Sequence, residues 1–241
     1  AGQDGKVLAT LVNYAVHPEV LGADEGICSP DLVGPMRSYI ESQVGGTAMF
    51  INGAQGGMVT ADNRDLDRPS DSQRGYWHDD RTWEECVRIG ETLGSEALRI
   101  IKDVAGVEQP KLRCWSKVTT FPVESDTMWA VVEHSPLNYP HGEDRTITST
   151  ISLVELGNAR ILTIPGEALP NIGFYLKRKL GAEHQLLFGL TNDAFGYILT
   201  QEDFNSFERY DYVSRVSLGE QTGTILVESA LDLVETVEAS E

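Results

Sequence analysis

Ile164-Pro165-Gly166-Glu167 begins the stretch that decides the fold, and Leu186-Leu187-Phe188-Gly189-Leu190-Thr191-Asn192-Asp193-Ala194-Phe195-Gly196-Tyr197 completes it. In both halves a short apolar run stops at small residues, and a carboxylate or a phenol comes next. An apolar run of this length bounded by Gly or Pro is the signature of a buried strand. A buried strand that ends in Pro-Gly-Glu and leads into a helix delivers the Glu to the carboxyl edge of a sheet, where open α/β sheets bind ligands. Taken alone, the same residues also describe a plain turn with a helix-favouring acid after it. Two further strands that end in the same manner favour the site.

Working outward, Ala159–Ile164 is read as a strand joined to Ile147–Leu156 through the hairpin signal Gly157-Asn158. Leu169, Ile172, Gly173, Leu176 and Leu180 form one face of a helix that Gly181 caps. Gln185–Leu190 is a strand, and Ile225, Leu226, Ala230 and Leu233 mark a final helix. Lys111–Val123 reads as a strand. Glu124–Arg145 shows no clear period and is expected to cross the surface as an irregular excursion.

Towards the start, Lys6–Val16 is a near-continuous apolar run and suits a central strand covered on both faces. It ends at His17-Pro18. Ser29-Pro30-Asp31 signals a helix start, with Leu32, Val33, Met36 and Ile40 on one face. Thr47–Ile51 is a short strand ending at Asn52-Gly53. Gln55–Asp80 is a long loop rich in Gly, Asp, Asn and Arg, of the kind that is functional or disordered. Arg81–Val104 is the longest helix, with Trp83, Cys86, Val87, Leu93, Ala97, Ile100 and Ile101 along its apolar stripe. The pattern predicts an α/β fold: a mixed β-sheet flanked by helices.

The chain has 241 residues and a formal charge of −18, from 19 Lys and Arg against 37 Asp and Glu. That balance argues against nucleic acid, whose phosphates need basic side chains. No stretch approaches the ~20 apolar residues of a membrane span, and no signal peptide is evident. Cys28, Cys86 and Cys114 are odd in number and form no CxxC pair, so free thiols are expected.

Four strand ends therefore stand out: His17, the Asn52–Thr60 loop, Glu167, and the Asn192–Tyr197 loop. If these strands lie side by side in one sheet, a His, a Glu and a Tyr meet over a Gly-rich loop and offer N and O donors to a cation of the zinc type. No local signature such as HExxH supports this, and a lone His after a strand is more often a hydrogen-bonded structural residue. His78, His134, His141 and His184 are read as solvated loop residues, and Asp31 as a first-turn helix acid.

These residues resemble the motifs of the neutral/alkaline, non-lysosomal ceramidases and their bacterial relatives. Asn13-Tyr14-Ala15-Val16-His17-Pro18 is similar to the segment that carries one zinc-binding His in that family. Phe50-Ile51-Asn52-Gly53-Ala54-Gln55-Gly56-Gly57-Met58-Val59-Thr60-Ala61-Asp62 resembles its Gly-Asp-Val-Ser-Pro-Asn loop, with Thr60 in place of Ser and Met58 in place of Asp. Thr163-Ile164-Pro165-Gly166-Glu167 is similar to its Val-Pro-Gly-Glu motif, whose Glu binds zinc. Gly189-Leu190-Thr191-Asn192 through Tyr197-Ile198-Leu199-Thr200-Gln201-Glu202-Asp203-Phe204 resembles its Gly-Leu-Ser-Asn to Tyr-Ile-Thr-Thr-x-Glu-Glu-Tyr block, whose Tyr completes the metal shell.

The resemblance implies that residues 1–241 are the C-terminal part of a larger ceramidase-like catalytic domain. The family's upstream Thr-His-Thr-His segment has no counterpart here, and a missing N-terminal part is the expected partner. It implies a Zn2+-dependent amidohydrolase that cleaves the N-acyl bond of ceramide or a similar lipid by a metal-activated water. His17, Glu167 and Tyr197 are the implied metal ligands. Tyr197, Thr60 and Asn192 are the candidate catalytic residues, and Asn192 with Asp193 would orient the ligands. A secreted or periplasmic location is implied by the same likeness. The chain alone is expected to bind zinc weakly and to turn over slowly or not at all. The rivals are a metal hydrolase of another amide or ester, and a degenerate module that binds lipid or a partner without catalysis.

Overall fold

The computed structural model describes residues 2, 4–23, 26–57, 59–61 and 81–239. Most of the predicted long loop, residues 62–80, thus lies outside the described residues. The chain divides into two compact units, Ala1–Ile51 with Val59–Gly106, and Asn52–Met58 with Val107–Glu241.

In the first unit, β1 (Ala9–Tyr14) and β2 (Thr47–Asn52) form a two-stranded sheet, linked by α1 (Val33–Val44). The Thr47 N–H donates to Leu8 O at one end and the Asn13 side chain to Ile51 O at the other, so the strands run in the same direction. Val12 and Ala48 face inward and pack with Met36 and Ile40 of α1. The other face is open: Leu11 is 39% and Met49 44% exposed. The expectation of a first strand covered on both faces is therefore corrected. β1 is shorter than Lys6–Val16 and alternates, because helices pack on one side of the pair only.

Helix α1 begins at Val33, later than Ser29-Pro30-Asp31 suggested. Asp31 is left-handed, with φ 49°, and its carboxylate accepts the N–H groups of Val20, Leu21 and Leu32. A residue in that conformation cannot continue a helix, so the predicted first-turn acid is instead a buried clamp just outside it. Helix α2 (Trp83–Ile101) is capped by Thr82, whose side chain accepts the Glu85 N–H. Its buried line is Glu85, Cys86, Gly90 and Gly94, where it meets α1. Trp83, Val87, Ile100 and Ile101 are exposed, so the predicted stripe is displaced around the helix. Small residues let the two helices approach, a signal that counting large apolar residues passes over.

The second unit centres on a four-stranded sheet of order β3 (Leu112–Pro122), β4 (Thr146–Leu156), β5 (Ala159–Thr163) and β7 (His184–Phe188). β3, β4 and β5 pair antiparallel, and β5 with β7 parallel. This is the mixed sheet that the sequence predicts, and the hairpin turns at Gly157-Asn158 between the paired Leu156 and Ala159. Helix α4 (Pro170–Lys179) and the long helix Thr222–Ala239 flank it, burying Ile172, Leu176, Leu226, Ala230 and Leu233 against Ile151, Leu153, Leu162 and Leu187.

Two features depart from expectation. Within Glu124–Arg145 lies α3 (Asp126–His134), capped by the Ser125 side chain on Met128 N–H. That cap is a start signal that the lack of a long apolar period concealed. His134 therefore sits on a helix and His184 on β7, not in loops, although both are exposed as expected. The second feature is a third, very short sheet, β6 (Glu167–Ala168) with β8 (Tyr197–Ile198). Among the described residues, the four strands that were expected to end side by side thus lie in two sheets, β1 with β2 and β5 with β7, while Glu167 and Tyr197 themselves pair in the third. The cause is Pro165-Gly166, which breaks the chain between β5 and β6.

Candidate functional site

Glu167 and Tyr197 are register partners in the parallel pair β6–β8, as are Ala168 and Ile198. Register partners in a parallel pair project side chains from the same face, so the carboxylate and the phenol emerge as neighbours. The two stretches that the sequence singled out are interlocked by backbone bonds: Thr191 N–H to Ile164 O (3.0 Å), Leu190 N–H to Gly166 O (3.1 Å), Phe195 N–H to Pro165 O (2.9 Å) and Glu167 N–H to Gly196 O (2.8 Å). Tyr197 N–H continues to Val216 O at 2.9 Å.

The Asn52–Met58 segment runs beside this corner. Gly189 N–H donates to Asn52 O, and Gly56 N–H to Ala168 O, both at 2.9 Å. A Cβ on Gly56 would collide with the Glu167 carbonyl oxygen, so only glycine permits the approach. Gly196, with φ 75°, would likewise drive a Cβ into Val216 O. The run of glycines in the motifs is a record of backbone packed on backbone.

Glu167 is half-buried, whereas Tyr197 is 6% exposed and packs among Leu169, Leu199 and Val213, with the Tyr212 ring at 5.8 Å. Asn192 is exposed and left-handed (φ 75°), and its amide donates to Thr150 O at 2.6 Å. It shapes the loop with that bond. The carboxylate of Asp193 accepts the hydroxyls of Tyr139 and Ser149, one on each oxygen. Burial, and then Asp193, push the Tyr139 phenol well above its ordinary pKa, so it stays a donor. Tyr139 and Ser149 escaped the sequence reading because each is distant along the chain and lies in no motif.

In the first unit, His17 and Thr60 form an isolated parallel bridge. His17 N–H donates to Val59 O at 2.8 Å, and ring Nδ1 lies 2.8 Å from the same oxygen. A carbonyl only accepts, so Nδ1 carries the proton and Nε2 the lone pair, the tautomer a metal-binding imidazole requires. Thr60 is exposed. Three residues beyond His17, the Asp31 clamp fixes the chain by its bonds to Val20 and Leu21, of 3.0 and 2.9 Å. Cys86 is fully buried nearby, and burial, then Asp31, raise its thiol pKa to about 11. Cys28 and Cys114 are exposed free thiols.

The structure therefore brings Glu167 and Tyr197 together in one unit and His17 and Thr60 together in the other. Among the described residues, no three His, Cys, Asp or Glu side chains cluster as a metal shell. By type, the imidazole of His17 in one unit, and the carboxylate of Glu167 and the phenol of Tyr197 in the other, are donors that zinc accepts. No described helix is long and apolar enough to cross a membrane.

No family model matches the chain, and no curated protein matches it. Solved structures do. A ceramidase complexed with C2 superposes with a TM-score of 0.68 at 14% identity, over 99% of this chain and 47% of its own. Neutral ceramidase from Pseudomonas aeruginosa gives a TM-score of 0.68 at 15% identity, over 97% of this chain and 45% of its own. The chain thus spans about half the length of these ceramidases. In fold, it resembles that part of a neutral ceramidase.

Proposed function

We propose that this chain is part of a ceramidase-like catalytic domain and that it serves the hydrolysis of an N-acyl lipid amide. The observation that carries the reading is the Glu167–Tyr197 register pair, formed at the two motifs of the resemblance, within a fold shared with ceramidases. The proposed zinc ligands are His17, Glu167 and Tyr197. Zinc, when bound, would supply Lewis acidity towards the amide carbonyl and a water acidified to a pKa of ~7.

The rest of the chemistry falls to the chain. His17 would bind through Nε2, because Val59 O holds the proton on Nδ1. Glu167 brings negative charge that offsets the cation. Tyr197 has two alternative roles: to ligate the metal, or, keeping its proton as a phenol ordinarily does up to pH ~10, to donate to the oxyanion that forms when the amide carbonyl is attacked. The apolar side chains around it, Leu169, Leu199 and Val213, strengthen such a bond by excluding water. Thr60 and Asn192, both exposed, are proposed to serve through a hydroxyl and an amide that suit a polar headgroup.

Support for a larger domain comes from the first unit. A parallel pair with an open apolar face is the exception among folded sheets, which bury both faces of parallel strands. Leu11 and Met49 lie on that face. Further chain is proposed to cover it, and a secreted or periplasmic location is proposed with the rest of the likeness.

The test is hydrolysis of a short-chain ceramide, by this chain and by a longer form from the same reading frame, with and without a zinc chelator. The longer form should turn over, lose activity to the chelator, and lose it again on Glu167→Ala; the chain alone should be slow or inactive. Full activity in the chain alone, indifferent to chelator and to Glu167→Ala or His17→Ala, would sink the metal mechanism. Cleavage of other N-acyl amides but not ceramide would replace the substrate only.

A further inference from the structure

The pairing that sets Glu167 beside Tyr197 is two residues long on each strand. A ladder so short does not define its own register, and a slip of one residue would carry Tyr197 to the opposite face. The backbone bonds on either side of the ladder hold that register only while the loop before Tyr197 keeps its place. The loop leading into Tyr197 contains two left-handed residues other than glycine, Leu190 (φ 49°) and Asn192 (φ 75°). Such conformations persist only where the surroundings over-determine them.

Those surroundings converge on Asp193, four residues before Tyr197. Each of its carboxylate oxygens accepts a different hydroxyl, from Tyr139 and from Ser149. An ionised carboxylate is the side chain that accepts on both oxygens at once. Ser149 is 5% exposed on β4, within the sheet, so one grip is anchored in the rigid part of the unit. Tyr139 lies beyond the end of α3, and its ring meets Phe195 edge-on at 6.4 Å, while Phe195 meets Phe121 of β3 at 5.6 Å. Next to Asp193, Asn192 adds its own bond to Thr150 O of the same strand. The loop is thus tied at consecutive residues to β4, and from it the chain runs straight into β8.

We propose that Asp193, gripped by Tyr139 and Ser149, is a positioning residue that locks Tyr197 in register with Glu167. Its importance for metal binding rests on the reading of those two residues as ligands. Asp193→Asn keeps the size but replaces one acceptor oxygen with an N–H2, so one hydroxyl must turn from donor to acceptor and both lose a charged partner. Tyr139→Phe removes one grip and keeps the ring.

The experiment measures two quantities for wild type, Asp193→Asn, Tyr139→Phe, Glu167→Gln and the core variant Ile151→Val: amide hydrogen exchange at Glu167 and Tyr197, and Zn2+ affinity by chelator competition. Asp193→Asn should speed exchange at both amides and weaken zinc by roughly 10–100-fold, the range typical of residues that orient metal ligands. Tyr139→Phe should do the same to a smaller extent. Ile151→Val, which loosens the core and removes no hydrogen bond to the loop, should leave zinc within about twofold. Unchanged exchange at Glu167 and Tyr197 in Asp193→Asn overturns the lock, as does an equal loss of zinc affinity in Ile151→Val. If Glu167→Gln leaves zinc affinity intact, the ligand reading fails, and the exchange data alone decide the lock.

Discussion

Around Glu167 and Tyr197 the backbone is the scaffold. Strand ends hydrogen-bond directly across, glycines at 56 and 196 permit contact without side chains, and a carboxylate with two hydroxyl donors ties the loop down. Behind it lies a four-stranded sheet with helices packed on it. Around His17 the means are different. A two-stranded sheet with an open face leads into the His, and one buried carboxylate, Asp31, gathers three N–H groups to hold the Val20–Leu21 segment beyond it. The first corner is fixed by many bonds that each matter moderately, together with steric contacts that cannot yield. The second depends on few, and each of those matters more within a smaller core.

The largest break in this comparison is expected from Gly196→Ala. A left-handed φ costs an L-residue about 1–2 kcal/mol, and the collision with Val216 O adds overpacking of about 1–3 kcal/mol. Urea unfolding monitored by far-UV dichroism should show a loss of about 3 kcal/mol. Asp31→Ala comes next. It leaves the N–H groups of Val20, Leu21 and Leu32 without their acceptor, and a loss of about 2 kcal/mol is expected. The same urea experiment reads it, and exchange should rise at Val20 and Leu21 while Glu167 and Tyr197 stay protected. Equal effects at both corners would contradict their separate construction.

A smaller effect sharpens the first unit further. The Cys86 thiol is held at about 11 by burial and by Asp31, against an ordinary value of 9.0. Its folded pKa is raised, so its contribution to stability is complete below pH 9 and is lost as pH climbs through 11. Melting temperature should fall more steeply across that window in wild type than in Cys86→Ala. At neutral pH, a thiol reagent should modify Cys28 and Cys114 promptly and spare Cys86 until unfolding.

Much of this was legible in the residues. Gly157-Asn158 announced its hairpin because the turn has a chemical signature, and the Ile172–Leu176 face announced its helix by period. Glu167 and Tyr197 stand out in the sequence because each comes after an apolar strand cut short by small residues, and the fold sets them in register. The features that stayed hidden have a common physical cause: they depend on partners remote in sequence. Ser149 is 44 and Tyr139 54 residues from Asp193. Gly90 and Gly94 signal by what they lack, and Asp31 looked like a helix acid because its left-handed φ leaves no mark in the sequence. The strands that were to share one sheet are divided between two, with Glu167 and Tyr197 in a further short pair, since no periodicity reports which strand pairs with which.

The central proposal is that Glu167 and Tyr197, which the fold sets side by side, and His17 each serve as zinc ligands. Zn2+ affinity measured by chelator competition for wild type, His17→Ala, Glu167→Ala and Tyr197→Phe tests it most directly. The account predicts that His17→Ala and Glu167→Ala each weaken binding at least about tenfold and that Tyr197→Phe weakens it less, since a phenol is the poorest donor of the three before it deprotonates. Zinc affinity that is the same in all four proteins would contradict it.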